Sequence, residues 1–279
     1  MDHLASHALP GGVQSMSREL ARFGAMGALC MLSATALAAP VVLNNQGFEG
    51  GLAGWDSLGD VSTQTTATVV TYAPFPAGTT WTVSPIQTRM AQLVSNNGVD
   101  LDTNIAALDA FFGLTQPTIS QFLQLAYGIA GSAWNGSGIK QSFSGSSGDV
   151  LREYWNFFST ENVNYQYSDG TNPNDAAFYV ITGPNGLQII DFLRGGALAS
   201  NTQSVGPTGS SGWRLFEYAL PADGNYTIGF GVVNWRDEYF DAELFLDAGR
   251  VPEPASLALL GMGLAGLGLL RRRRVGVAA

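Results

Sequence analysis

The chain has 279 residues, a net charge of −9 and only 13% charged residues, with one cysteine and two histidines. Cys30, His3 and His7 all lie near the start, so residues 39–250 have no disulfide, no thiol nucleophile, no histidine base and no histidine-ligated metal. In that body seven basic residues stand against nineteen acidic ones, a net charge of −12. Such a balance disfavours nucleic acid and anionic lipid and leaves divalent cations and neutral polysaccharide as compatible partners.

In chain order, residues 1–15 are expected to be an over-extended start preceding Met16. Residues 16–38 have the layout of a signal peptide: Arg18 and Arg22, an apolar run over 23–37, and the small-x-small site Ala36-Leu37-Ala38. Signal peptidase cleavage is placed after Ala38, because a cut one residue later would leave Pro40 next to the scissile bond. Lipidation of Cys30 does not fit, since Leu29 stands where a small residue is needed.

Residues 39–250 are predicted to be one mainly β domain, a jelly roll or β-sandwich. Short apolar-alternating runs recur at 67–72, 79–83, 137–143, 150–158, 177–181, 187–193, 213–219, 226–233 and 242–246. Gly183-Pro184-Asn185-Gly186 links two of them as a hairpin. In the run at 226–233, large apolar residues take one face and Gly or Thr the other, which suggests a close neighbouring backbone or a bulge. A helical-hairpin insert is predicted over about 103–128. Ile105, Leu108, Phe111 and Phe112 have helical spacing before Gly113, and Pro117 opens a second helix with Ile119, Phe122, Leu123 and Ala126. The insert is expected to cover one end of the sandwich.

Asn45-Gln46-Gly47-Phe48-Glu49 with Gly54-Trp55, and Leu244-Phe245-Leu246-Asp247 in the last strand, resemble the opening and closing motifs of carbohydrate-binding-module-like jelly rolls. The resemblance implies that Glu49 and Asp247 share a structural calcium; ordinary surface acids are the alternative. The middle of the body, with Lys140-Gln141-Ser142-Phe143, Gly148-Asp149 and Trp155-Asn156-Phe157, resembles exported bacterial proteins with C-terminal surface anchors. There Glu161, Asn174 and Asp175 flank a polar loop suited to a cation or sugar, or simply supply turn residues. Among the tryptophans, Trp134 is expected to be exposed in a loop and Trp155 to be core. A two-carboxylate glycosidase is the enzymatic alternative, with Asp191, Glu217 and Glu238 as unpaired candidates. Asn135-Gly136-Ser137 and Asn225-Tyr226-Thr227 match a glycan acceptor pattern.

The tail begins Val251-Pro252-Glu253-Pro254, in which two prolines hold the segment extended. An uncharged run follows at 255–270, about 24 Å long as a helix, and then Arg271, Arg272, Arg273 and Arg274, which place that end in the cytoplasm. These parts, in this order, resemble the PEP-CTERM sorting signal of exported bacterial proteins. The resemblance implies transient insertion in the cytoplasmic membrane, recognition by an exosortase and release to the cell surface or the extracellular space; a plain anchor is the alternative. Three functions follow in order: a non-enzymatic surface or exopolysaccharide-matrix (biofilm) protein, a carbohydrate-binding module, and the glycosidase.

Overall fold

The computed structural model describes residues 38–71, 78–95, 99–100, 106–128, 130–159, 168, 170, 175–193, 210–236 and 241–248. The signal-peptide core with Ala36, the whole sorting tail, Glu161, Asn174 and Glu238 lie outside the described residues. Among those described, no helix is long and apolar enough to cross a membrane.

Two antiparallel sheets form the sandwich. The strands are β1 (Asp56–Leu58), β2 (Asp60–Gln64), β3 (Ala67–Thr71), β4 (Thr79–Val83), β5 (Met90–Val94), β6 (Val99–Asp100), β7 (Ala133–Gly145), β8 (Val150–Ser159), β9 (Ala176–Thr182), β10 (Gln188–Phe192), β11 (Arg214–Ala219), β12 (Gly224–Trp235) and β13 (Ala242–Asp247). One sheet has the order β1-β7-β12-β9-β10, with β6 also on β7; the other has the order β11-β8-β13-β5-β2. Strands β3 and β4 pair only with each other among the described strands.

Period-two alternation builds the core between the sheets. Leu151, Trp155 and Phe157 of β8 meet Tyr226, Ile228, Phe230 and Val232 of β12, with Leu244 and Leu246 of β13 beside them. Fully burying one such side chain contributes about 1.5–3 kcal/mol. The β9–β10 hairpin closes between Gly183 and Leu187, where the Gly183 amide donates to the Leu187 carbonyl, around Pro184-Asn185-Gly186; Asn185 (φ 59, ψ 26) and Gly186 (φ 74) both take positive φ and the Leu187 amide donates to the Pro184 carbonyl. Strands β2 and β5 escape the alternation rule. β5 carries Ala91 and Leu93 on the core face and buried Met90 beside half-buried Gln92 on the other.

The helical insert is α1 (Ala106–Phe112) and α2 (Ile119–Tyr127), but it lies on the outer face of the β7–β12–β9 sheet and not at the end of the sandwich. The glycines of that sheet explain the placement. A Cβ on Gly229 would sit 2.5 Å from Phe112 Cε1, and one on Gly138 2.5 Å from Phe112 Cζ, so the bare backbone is a socket for an aromatic ring. The glycine face therefore accommodates a side chain, not a neighbouring backbone. Thr118, not Pro117, caps α2: its hydroxyl accepts from the Gln121 amide while the Gln121 side chain accepts from the Thr118 amide. Lys140 closes α1 from below, donating to the Phe111 carbonyl and lying over its ring. On the opposite sheet the β3–β4 hairpin covers Met90, Phe158 and Phe245 with Ala67, Val69 and Val83.

Candidate functional site

The opening motif builds a tight loop. Asn45 takes φ 50; its side-chain amide donates to the Gly51 and Ala53 carbonyls, and its Oδ1 accepts from the Gly50 amide. Phe48 and Trp55 stack in the core at 5.3 Å, and the Trp55 indole donates to the Asn45 carbonyl. Gln141 of β7 ties the loop down by accepting from the Asn44 amide at 2.6 Å and donating to the Asn44 and Gly54 carbonyls. Glu49 is thereby held at a fixed rim position.

Glu49 and Asp247 grip one loop. The amides of Thr88 and Arg89 donate to Glu49 at 3.0 and 3.2 Å, and the Thr88 hydroxyl donates to its second oxygen. The amides of Ile86 and Gln87 donate to Asp247 Oδ2 at 2.6 and 3.0 Å, and the Gln87 side chain donates to the Ala248 carbonyl. The opening and closing motifs thus meet through residues 86–89, although β13 lies between β8 and β5 with no strand of the opening segment beside it.

Sequence reasoning missed a third carboxylate. Glu153 is buried, with the Gln46 side-chain amide donating to its Oε2 at 3.1 Å and to the Arg152 carbonyl. The signal was present in the alternation Leu151-Glu153-Trp155, which turns Glu153 inward with two core residues. Burial pushes its carboxyl well above the usual range, opposed by the Gln46 hydrogen bond and reinforced by the charge of Asp247. Burial likewise raises Asp247 to about 6, opposed by the amides of Gln87 and Ile86 and reinforced by Glu49. Glu49, on the exposed rim, is lowered, chiefly by the Thr88 hydroxyl and amide.

The calcium expectation can be tested on the oxygens. Glu49 and Asp247 Oδ2 already face N–H and O–H donors, whereas buried Asp247 Oδ1 and Glu153 Oε1 have no hydrogen-bond partner. Those two oxygens are acceptors left without a protein donor. Among the described residues no group of three or more Asp, Glu, His or Cys is placed to hold a metal, whereas calcium takes six to eight oxygens.

The other candidates scatter. Asp175 is buried beside Tyr127, whose hydroxyl donates to the Asp175 carbonyl, and is not displayed on a loop surface. Burial, then the Asp175 charge, raises the Tyr127 hydroxyl. Glu217 pairs with Arg152 at 2.7 Å, both half exposed, while Asp191 accepts from the Phe192 amide on a strand of the other sheet. An open groove of about 690 Å³ along α2, lined by Gln116, Pro117, Gln121, Gln124 and Leu125, has no acidic side chain among the described residues. Trp134 lies within β7 and not in a loop; Trp55, Trp155 and Trp235 are buried, and Trp81 and Trp213 are partly exposed. Asn135 belongs to β7 with its Oδ1 buried, whereas Asn225 is exposed.

Residues 250–274 match the PEP-CTERM protein-sorting motif. The motif implies an exported protein processed by an exosortase. No curated protein matches the chain. Among solved structures, the chain is similar to TmCBM61 in complex with β-1,4-galactotriose, with 11% identity and a TM-score of 0.34 over 74% of this chain and 93% of that one. It is similar to Family 16 Carbohydrate Binding Module-2, with 12% identity and a TM-score of 0.30 over 75% and 96%. It is also similar to the enzymatically active domain of bacteriophage CBA120 tailspike protein 4, with 9% identity and a TM-score of 0.30 over 72% of this chain and 20% of that one.

Proposed function

We propose that this is a non-catalytic surface or matrix protein, freed from its sorting tail by an exosortase and held outside the cell in contact with exopolysaccharide. The sorting motif at 250–274 carries the reading, because it sets the compartment in which the acidic sandwich works. The chemistry of the body supports it. Residues 39–250 lack Cys and His, Glu217 is engaged by Arg152, and the described lining of the α2 groove includes no acid to act on a glycosidic bond. Signal peptidase removes residues up to Ala38 in this scheme. Mature protein incubated with exopolysaccharide from the producing cells is expected to sediment with the polymer; protein left wholly in the supernatant would sink the polysaccharide contact.

Calcium belongs to the same proposal as a structural ion. Asp247 and Glu153 would hold it through their unpartnered oxygens, with Glu49 at the rim, and its charge would stabilise carboxylates that burial disfavours. Chelation is expected to lower the melting temperature of the mature protein and added calcium to restore it. Identical melting curves with and without chelator would remove the ion.

A further inference from the structure

Residues 39–250 hold two acceptor tripeptides for an asparagine-linked glycan, and the fold treats them in opposite ways. Asn135-Gly136-Ser137 runs through β7, with Asp100 of β6 paired opposite Asn135. Asn135 alternates with Ser137 and the core residue Ile139, and its Oδ1 is buried. Ser137 is fully buried; its hydroxyl donates to the Val94 carbonyl and accepts from the Asp60 amide. Asn225-Tyr226-Thr227 instead opens β12, just after the exposed residues Pro221 and Asp223. There β7 pairs with it, Asn225 opposite Ser144, whereas β9 joins only from Thr227 onward. Tyr226 and Ile228 turn into the core, so Asn225 and Thr227 point away from it. Asn225 is exposed, its Oδ1 accepts from the Ser144 hydroxyl at 2.7 Å, and its Nδ2 has no acceptor among the described residues.

We propose that Asn225 carries a covalently linked glycan in the exported protein; the inference rests on the export that the sorting motif implies. The donor is a glycan activated at its anomeric carbon as a diphosphate. The bond from that carbon to the diphosphate oxygen breaks, a bond to Nδ2 forms, and the amide gives up one proton as the diphosphate leaves. The fold selects between the tripeptides whether transfer precedes or follows folding. A glycan on Asn135 would have to enter the packed interior of the sandwich with its hydroxyls unsatisfied. One on Asn225 projects into solvent and leaves the backbone ladder between β7 and β12 intact. The hydroxyl that completes each motif differs in the same way. Thr227 is half-buried and shares its hydrogen bond with the Ser142 hydroxyl at 2.8 Å, whereas the Ser137 hydroxyl is spent on two backbone groups. Asp223, two residues ahead of the acceptor, is an exposed carboxylate by which a basic transferase can hold the segment; buried Ala133 stands at that place in the first tripeptide.

The test is mass spectrometry of the exported protein from the producing cells, intact and after trypsin. Cleavage after Arg89, Lys140, Arg214 and Arg236 puts Asn135 in the peptide 90–140 and Asn225 in the peptide 215–236. The wild-type peptide 215–236 is expected to carry sugar that fragmentation places on Asn225, and the peptide 90–140 to have its bare mass. Intact wild type is expected to exceed Asn225→Gln by the glycan, after correction for the one methylene by which the polypeptides differ. Thr227→Val, which keeps a β-branched side chain in the strand, is expected to lose the same mass, and Asn135→Gln to keep it. Because the wild-type peptide is read directly, a variant that folds poorly cannot hide the result. A bare 215–236 peptide from exported wild type would overturn the inference and leave export standing. Sugar on the peptide 90–140 alone would overturn it as well. Wild type found only in the cytoplasm would overturn the export reading and this inference with it.

Discussion

Glu243 shows how burial of single acids shapes this protein. It is 9% exposed on β13, and burial raises its carboxyl to about 7, opposed by the Gln92 amide at 2.6 Å and reinforced by Asp241 and Asp60. A raised carboxyl means that the folded state binds the proton more tightly than the unfolded chain. Its contribution is therefore complete below the unfolded value of 4.5 and lost as pH rises through about 7. Glu243→Gln is expected to flatten the fall in melting temperature between pH 4.5 and 8, with a gain at pH 8 of order 2–3 kcal/mol. Melts across that range check it; an unchanged slope would contradict the assignment. Asp247 acts in the same direction around pH 6, and Glu49, with its lowered carboxyl, in the opposite one. At this scale the sequence was partly legible. The opening and closing motifs pointed to Glu49 and Asp247, which do grip one loop. The pairing of Gln46 with Glu153 was not legible, because it is a buried hydrogen bond between residues more than a hundred positions apart.

Among the elements, the helical insert was legible from its 3.6-residue spacing, and its docking site was not. Gly229 and Gly138 are separated by most of the chain's second half and become one socket only when β12 pairs with β7. Gly229→Ala forces a methyl group against Phe112 and is expected to destabilise the fold by about 1–3 kcal/mol, read as a lower denaturant midpoint. An equal midpoint would mean that α1 does not dock there. Apolar runs made β8, β12 and β13 readable to within a few residues, although β13 is buried on both faces. Strand β2 was not, because DVSTQ on a sheet edge has little apolar face. The hairpin at Gly183–Gly186 was predictable because Asn-Gly is one of the few residue pairs that tolerates two positive φ angles in succession.

For the whole molecule, two layers of added structure, helices on one sheet and a neutral hairpin on the other, turn a sandwich into a body with two unlike faces. The acidic balance of residues 39–250 disfavours anionic partners such as nucleic acid. Where the body works follows from its tail. The central claim is that the chain is exported and then cut near Val251-Pro252-Glu253-Pro254, leaving the acidic sandwich outside the membrane. Intact-mass spectrometry of the protein from cells with and without the exosortase tests this most directly. A mature species lacking residues 255–270 is expected when the enzyme is present, and a species retaining them when it is absent. The same tail-containing mass from both strains would contradict it and make residues 255–270 a permanent anchor.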